Sequence, residues 1–526
     1  MRIRGLTVFV ICAALAVTMV ASPVAGQTGG KTFVRGIVGQ PPTVPINPLV
    51  RSSNPRASLW MFESLVSYTT DLRPRGQLAE RWDTSEDGLT YTFHLRRNVK
   101  WHDGRPFTAD DVVYTAEAAL NERNNSPMRR YYLVRGRPVR VEKVDTYTVR
   151  FTLPFASALF LYNQSQWNFI VPRHLLEGKE LATADFNAKP VATGPFRFVE
   201  LQDKQFIRMA ANPDYYVARP KLDGWVDRAL GDQNAALAAF AKGEVDFIGV
   251  NSRDAIETAR RIPNTRIYSY NAGWIYSFNM NLKANMFTDV RVRRALAYAF
   301  DREQMAKAIA GDVPVAWSLI GPPSSWAYNA NVPKYPKEPV RAKELLSEAG
   351  FRPGPDGIVQ KDGKPLSFTV LIQSGATDSD PESYAVALRQ EFRAIGVDMQ
   401  IQRLDRPTLE KRLFEAKEYE AYLWWNGYGF EPDPAFYWHS ASAINNYAHP
   451  ELDLLIDQAA STTNRDARKR FLDAIAMKVA RDVAFIPLYF FSGFMATKTT
   501  IKFPAPSAAD FNNSAVLYDV HTIEKN

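Results

Sequence analysis

The sequence predicts an α/β protein with two separate strand–helix–strand regions and an extra mixed, mostly antiparallel subdomain ahead of the first. Three observations carry that reading. A chain of 526 residues has room for two or three domains, each with its own core. Two stretches far apart, near residues 225–250 and 367–401, repeat one rhythm of apolar strand, capped helix and apolar strand. Between Arg75 and Ala119 the apolar residues instead alternate with a period of two.

The chain opens with Arg2 and Arg4, then the uncharged run "LTVFVICAALAVTMV" (Leu6 to Val20), then "ASPVAG". A basic start, an apolar stretch and small residues around Val24-Ala25-Gly26 predict a signal peptide over residues 1–26 that is removed on export. A membrane helix needs about 20 apolar residues, so the run is short for a stable anchor. The single cysteine, Cys12, lies inside this run after "VFVI", which is not the small-residue context of a lipoprotein, and no lipid anchor is expected. The exported chain then has no thiol, which excludes disulfides, cysteine nucleophiles and thiolate metal sites.

The whole chain holds 64 basic and 56 acidic residues, a net charge of +8 that falls by two once Arg2 and Arg4 are gone. The excess is thinly spread except in "RRYYLVRGRPVR" (Arg129 to Arg140). In an exported protein this run reads as a solvated loop between strands, so nucleic acid is not an expected partner.

Within the early block, Leu89, Tyr91, Phe93 and Leu95 alternate with polar residues and predict a half-buried strand between turns at Asp87-Gly88 and Asp103-Gly104. Thr108 with Asp111 has the spacing of a capping box and should start a helix through Val112, Val113 and Ala116. A second alternating strand carries Val149, Phe151 and Leu153. Further on, Trp225 to Leu230 reads as a strand, Asp232 caps the helix "QNAALAAFAK", Gly243 ends it and Val245 to Val250 is a second strand. So short a strand–helix–strand unit implies a right-handed parallel crossover.

Asp289 should cap a helix with Val292, Ala295, Leu296, Ala299 and Phe300 on one stripe, and Glu338 to Gly350 forms another helix. The crossover rhythm then recurs. Ser367 to Gln373 is a strand, Asp380 and Pro381 open a helix with Ala385, Leu388, Phe392 and Ile395 on one face, and Val397, Met399 and Ile401 begin the next strand.

Motifs for chemistry are absent: there is no GxSxG, HExxH, P-loop or GxGxxG. The six histidines are scattered without metal-ligand spacing. His102-Asp103 sits in a turn without a nucleophile, and "DSDPES" (Asp378 to Ser383) reads better as a helix cap than as a calcium loop. No metal and no cofactor are expected. An exported, two-lobed α/β chain without a catalytic set is most simply a binder whose cleft lies between the lobes.

Several ordered segments carry a family resemblance. The most specific is "LAERWDTSEDGLTYTFHLRRNVKWHDGRPFTADDVVYT" (Leu78 to Thr115), followed by "ATGPFRFVE", "ANPDYY", "NMNLKANMFTDVRVRRALAYAFDREQM", "YPKEPVRAKELLSEAGF" and "ELDLLIDQA". Together they resemble the extracellular solute-binding proteins of family 5, the peptide, nickel and oligosaccharide receptors of ABC importers. The resemblance implies a periplasmic binding protein-like fold of class II, a periplasmic location and no enzymatic activity. Lobe I would comprise residues 27–48, 192–271 and 487–526, the extra subdomain 49–191, and lobe II 272–486, with two chain crossings as a hinge. It also implies a monomer that passes an oligopeptide to a membrane permease. An oligosaccharide or glycoside is the alternative ligand, and a secreted hydrolase using Glu431 and Asp433 is the alternative of another class.

The stretch "YLWWNGYGFEPDPAFYWHS" (Tyr422 to Ser440) breaks any helical or strand pattern with its glycines and prolines while presenting large rings. In the family a Gly/Asp/Pro-rich loop of lobe II lines the cleft, and this segment looks like it. Rings on a turning backbone give contact area with little entropy to lose. Trp424, Trp425 and Tyr428 are the cleft candidates here, with Glu431 and Asp433 after them. Family position adds Gln40 in the first loop, and Trp274, Tyr276 and Asn279 at the entry to lobe II. Alternation puts Trp274, Tyr276 and Phe278 on one side.

Dipeptide receptors of the family hold the ligand ammonium with an aspartate early in this loop, where Tyr428 is the nearest match. They meet the carboxylate with an arginine where this chain has Gln373-Ser374-Gly375. Neither charge clamp is present, which disfavours a short zwitterionic peptide, because a buried unpaired terminus costs several kcal/mol.

Overall fold

The computed structural model describes residues 31–526 apart from 40, 52–58, 70–72, 166–167, 251, 312, 376–379, 428–430, 442–445, 448 and 504–518. The leader, Gln40 and Tyr428 therefore lie outside the described residues.

Strand-forming runs rich in aliphatic and aromatic residues assemble one large mixed sheet. Its strands are β1 (Thr32–Val38), β2 (Phe196–Gln202), β3 (Phe206–Ala211), β4 (Gly224–Leu230), β5 (Phe247–Val250), β6 (Thr265–Met280), β7 (Ser367–Gln373), β8 (Asp398–Leu404), β9 (Ala421–Gly427) and β10 (Phe485–Lys498). Their spatial order is β2-β3-β4-β1-β5-β10-β6-β9-β7-β8. Both predicted crossovers are present. The helix α4 (Pro381–Ala394) joins the parallel neighbours β7 and β8. The helix α1 (Gln233–Ala241) joins β4 and β5, which run parallel with β1 inserted between them. Asp232 and Asp380 cap these helices through their carboxylates, accepting from the amides of Ala235 and Ser383 at 2.8 and 3.1 Å.

The early block is a four-stranded antiparallel sheet, Ala79–Thr84, Thr90–Leu95, Thr148–Thr152 and Arg140–Asp145 in that spatial order. Tyr91, Phe93 and Leu95 point inward as the alternation requires. The helix Ala109–Leu120 starts at Thr108, whose amide donates to the Asp111 carboxylate at 3.0 Å. The arginine-rich run is more ordered than a loop. Pro127–Tyr132 makes a 3-10 turn and Leu133–Val134 pairs with Arg137–Pro138, so Met128 and Tyr132 are buried while Arg130, Arg135, Arg137 and Arg140 stay exposed.

The cores show how the pieces group. One cluster unites the early block with β1 to β4 through Phe33, Trp60 and Trp225, whose rings pack at 4.3 and 4.4 Å. Another lies under α1 and β5. Beyond them a separate cluster is built on β6, β7, β9, α4 and the helix α2 (Val290–Tyr298). Among the described residues the long strands β6 and β10, paired antiparallel, run from one set of cores to the other.

Candidate ligand-binding site

Where β10, β6 and β9 lie side by side, the register stacks rings across the ladder. Tyr276 on β6 stands opposite Trp425 on β9 and Tyr489 on β10. Opposed side chains on neighbouring strands share a face, so the three rings form a triangular cluster, with Tyr276–Trp425, Tyr276–Tyr489 and Trp425–Tyr489 centroids 4.7, 5.5 and 5.4 Å apart. Tyr384 of α4 stacks on Tyr489 at 5.4 Å and 16°. Phe491 meets Trp425 edge-on at 5.1 Å. The base of this cluster, Tyr276, Tyr384 and Tyr489, is buried, whereas Trp425 and Phe491 are only half-buried.

The ladder of β6 with β10 shifts register at two places, after Tyr276 and, more widely, before Ile275. Between Asn271 and Ile275 the pairing of β6 with β10 shifts, so that 272–274 oppose Phe491 alone. Gly273 supplies the left-handed backbone (φ 67°) that the bulge needs. Trp274, released from the ladder with β10, is 47% exposed. Its indole lies across Gly427 on β9, where a β-carbon would come within 2.7 Å of the ring. A glycine at 427 is thus what lets this tryptophan lie flat and face outward.

The period of two sends the remaining candidates to the other face. Trp424 packs edge-on against Phe414 at 5.7 Å, with the Arg406 guanidinium 5.8 Å from its ring. Asn279 is fully buried. Its amide donates to the Ser277 hydroxyl at 3.1 Å, and Asn426 donates to both Ser277 (2.6 Å) and Asn279 (3.1 Å). The structure therefore brings Trp274, Tyr276 and Trp425 together and leaves Trp424 and Asn279 across the sheet from them.

Glu431 and Asp433 are occupied in structural contacts. Glu431 pairs with Arg468 of the helix α6 (Arg465–Arg481) at 2.8 Å, with both side chains almost buried. Burial raises its pKa, while Arg468 and Arg465 oppose the rise. Asp433 accepts from the Ala435 amide at 3.0 Å and is likewise pushed up by burial. Neither arrangement resembles a paired acid and nucleophile. Among the described residues no group of three or more His, Cys, Asp or Glu side chains is placed to hold a metal ion.

Sequence reasoning missed Tyr384, Tyr489 and Phe491. The signal for the last two was the run "FIPLYFFSGF" (Phe485 to Phe494), in which Tyr489 and Phe491 alternate onto one face. The arrangement offers an apolar cluster of tilted and edge-on rings, buried at its base and half-buried at Trp425 and Phe491. It suits stacking and dispersion contacts, not bond-making.

Known proteins agree with this chemistry. The oligopeptide-binding protein AppA of Bacillus subtilis (strain 168) is 30% identical over 497 residues, covering 90% of this chain and 89% of its own. The crystal structure of the ABC transporter substrate-binding protein CtaP from Listeria monocytogenes superposes with a TM-score of 0.81 at 27% identity, covering 94% of this chain and 99% of that one. AppA from Bacillus subtilis in complex with a nonapeptide gives a TM-score of 0.72 at 29% identity, over 94% and 99% of the two chains. Residues 73–448 match the profile of the bacterial extracellular solute-binding proteins, family 5 Middle. The chain belongs to the family 5 bacterial extracellular solute-binding proteins, and its work is to bind a solute, not to transform one.

Proposed function

We propose that the chain captures an oligopeptide in a cleft between two lobes and hands it to the membrane permease of an ABC importer. The observation that carries this reading is the aromatic floor on β6, β9 and β10, built on the strands that run between the cores and interrupted by the bulge at 272–274. A bulge there supports a hinge at that point and re-aims Trp274 toward a guest. In this reading lobe I comprises 27–48, 192–271 and 487–526, the extra subdomain 49–191, and lobe II 272–486. Trp274, Trp425 and Phe491 face the ligand, with Tyr276 beneath them; Gln40 and Tyr428 are placed beside them by sequence position alone. Trp424 and Asn279 stiffen the far face.

The peptide assignment follows the relatives, one of which was solved around a nonapeptide. Because Glu431 is held by Arg468 and Asp433 caps a turn, neither is spare to meet a terminal ammonium. Recognition then rests on the peptide backbone and on apolar faces, which favours long peptides over dipeptides. Closing over such a guest from a mostly open state takes about 5 kcal/mol of preference for the closed form.

Residues 1–26 direct export and are cleaved, and the protein works as a periplasmic monomer. No helix among the described residues is long and apolar enough to cross a membrane.

Tryptophan fluorescence and thermal-shift titrations against long peptides, dipeptides and oligosaccharides test the proposal. Saturable binding of long peptides without product formation is the expected result. A response to sugars alone, or steady release of cleaved product, overturns it.

A further inference from the structure

A second site is visible away from the aromatic floor. Arg302 opens the helix α3 (Arg302–Ala310) and is only 4% exposed. Its Nη1 donates to the Pro487 carbonyl at 3.1 Å, and its guanidinium lies 4.1 Å from the centre of the Trp317 ring. Nε and Nη2 have no hydrogen-bond partner among the described residues. Those two nitrogens form one edge of the guanidinium, the edge that takes a planar oxyanion through two parallel hydrogen bonds.

Arg302 lines a small pocket whose other walls include Trp317, Leu319, Tyr335, Ala480 and Phe485. No carboxylate lines this pocket, and among the described residues Arg302 forms no ion pair. Burial pulls the Arg302 pKa down to about 9, against the opposing pull of Tyr335 and Glu303. An arginine with a pKa near 9 is still charged at neutral pH, and a buried charge without a counter-charge is costly. Lys334, 5.8 Å from the same Trp317 ring, adds positive potential beside the pocket.

We propose that this pocket binds a small planar oxyanion, a monocarboxylate of formate or acetate size or bicarbonate, held bidentately by Nε and Nη2 of Arg302 over the Trp317 ring. The site is independent of the solute-binding reading, since it needs neither lobe closure nor peptide.

The test uses the full exported chain, with thermal denaturation in sodium formate or acetate against sodium chloride and sulfate at constant ionic strength, and ¹³C-formate line broadening as a direct readout. A saturable, carboxylate-specific rise in Tm with matching line broadening is expected. Arg302→Gln should weaken the apparent affinity about tenfold or more. Should that variant not fold, Ala480→Leu decides, because it adds bulk at a half-buried wall of the pocket, on the helix α6, while keeping the arginine. The proposal is overturned if wild type shows no carboxylate-specific effect, the result of a pocket filled by water, or if Ala480→Leu responds as wild type does.

Discussion

The early block and the aromatic floor bury large side chains in opposite ways. In the early block two buried carboxylates, Glu63 and Asp111, are each held by several donors. The Glu63 carboxylate accepts from Tyr215 (2.8 Å), Tyr216 (3.0 Å), Thr193 (2.9 Å) and Gln77 (3.3 Å), tying five positions of distant sequence together. Asp111 accepts from the Thr108 and Arg173 amides and the Trp101 indole. Directional bonds of this kind admit one geometry. On the floor, contacts are ring against ring, and the outer members Trp425 and Phe491 keep a face open. The first region is a frame; the second is an apolar surface left unfinished on one side, which a guest can complete.

The largest effect should come from breaking the frame. Burial raises the Glu63 pKa, but its hydrogen-bond donors oppose that. Glu63→Leu strands buried hydroxyl and amide donors without a partner and should cost about 4 kcal/mol in urea unfolding. Peptide affinity of the folded fraction should hardly change. A loss below 1 kcal/mol would show that the network is dispensable.

A somewhat smaller effect belongs to His102, which fastens the early block to the loop before β2. Its Nε2 donates to the Gly194 carbonyl at 2.9 Å and its Nδ1 accepts from the Ala192 amide at 3.3 Å, a pairing that needs the neutral ring. Burial accordingly depresses its pKa to about 4. A folded pKa below the unfolded value of 6.5 means that the stabilisation is complete above pH 6.5 and is lost as pH falls toward 4. The loss is at most about 3 kcal/mol. Tm measured from pH 7 to 4 should fall, and His102→Gln should flatten that part of the curve; an unchanged slope in the variant would remove His102 as the cause.

The floor is probed by its two adjacent tryptophans. Trp425→Ala removes a ring from the open face and should weaken peptide binding by about tenfold to a hundredfold. Trp424→Ala removes a ring from the opposite face, against Phe414, and should leave affinity within about twofold while lowering stability. Equal losses of affinity in the two variants would mean that the face carrying Trp425 is not the binding face.

That pair also shows what the sequence could and could not disclose. Strands, caps and both crossovers were legible because period-two runs, Asp caps and terminating glycines are local signals, as at Asp232, Asp380 and Gly243. Local alternation placed Trp274, Tyr276 and Phe278 on one face correctly. It could not show that Trp425 and not Trp424 joins them, since that depends on the register between β6 and β9. Nor could it show that β1 would insert between β4 and β5, or that Tyr489 and Phe491 would arrive from more than 200 residues away. The roles of Glu431 and Asp433 were hidden for the same reason: Arg468 is recognisable as a partner only once α6 is packed.

The smallest effect should appear where frame and floor communicate. Arg135, exposed on its hairpin, reaches Asp457 of the helix α5 (Pro450–Ser461) at 3.2 Å, and nearby the Ala158 amide donates to the Ala460 carbonyl at 2.8 Å. These contacts join the early block to the far set of cores without passing through β6 and β10. The ion-pair side chains are 44% and 49% exposed, so the pair is worth less than about 1 kcal/mol. If it forms only when the lobes approach, Asp457→Asn should leave Tm nearly unchanged and weaken peptide affinity by up to about fivefold at low salt, since only the closed state is destabilised. The difference from wild type should vanish at high salt, where the exposed pair is screened. A drop in Tm with unaltered affinity would instead make this contact a permanent strut, holding the early block against α5 whether or not a guest is bound.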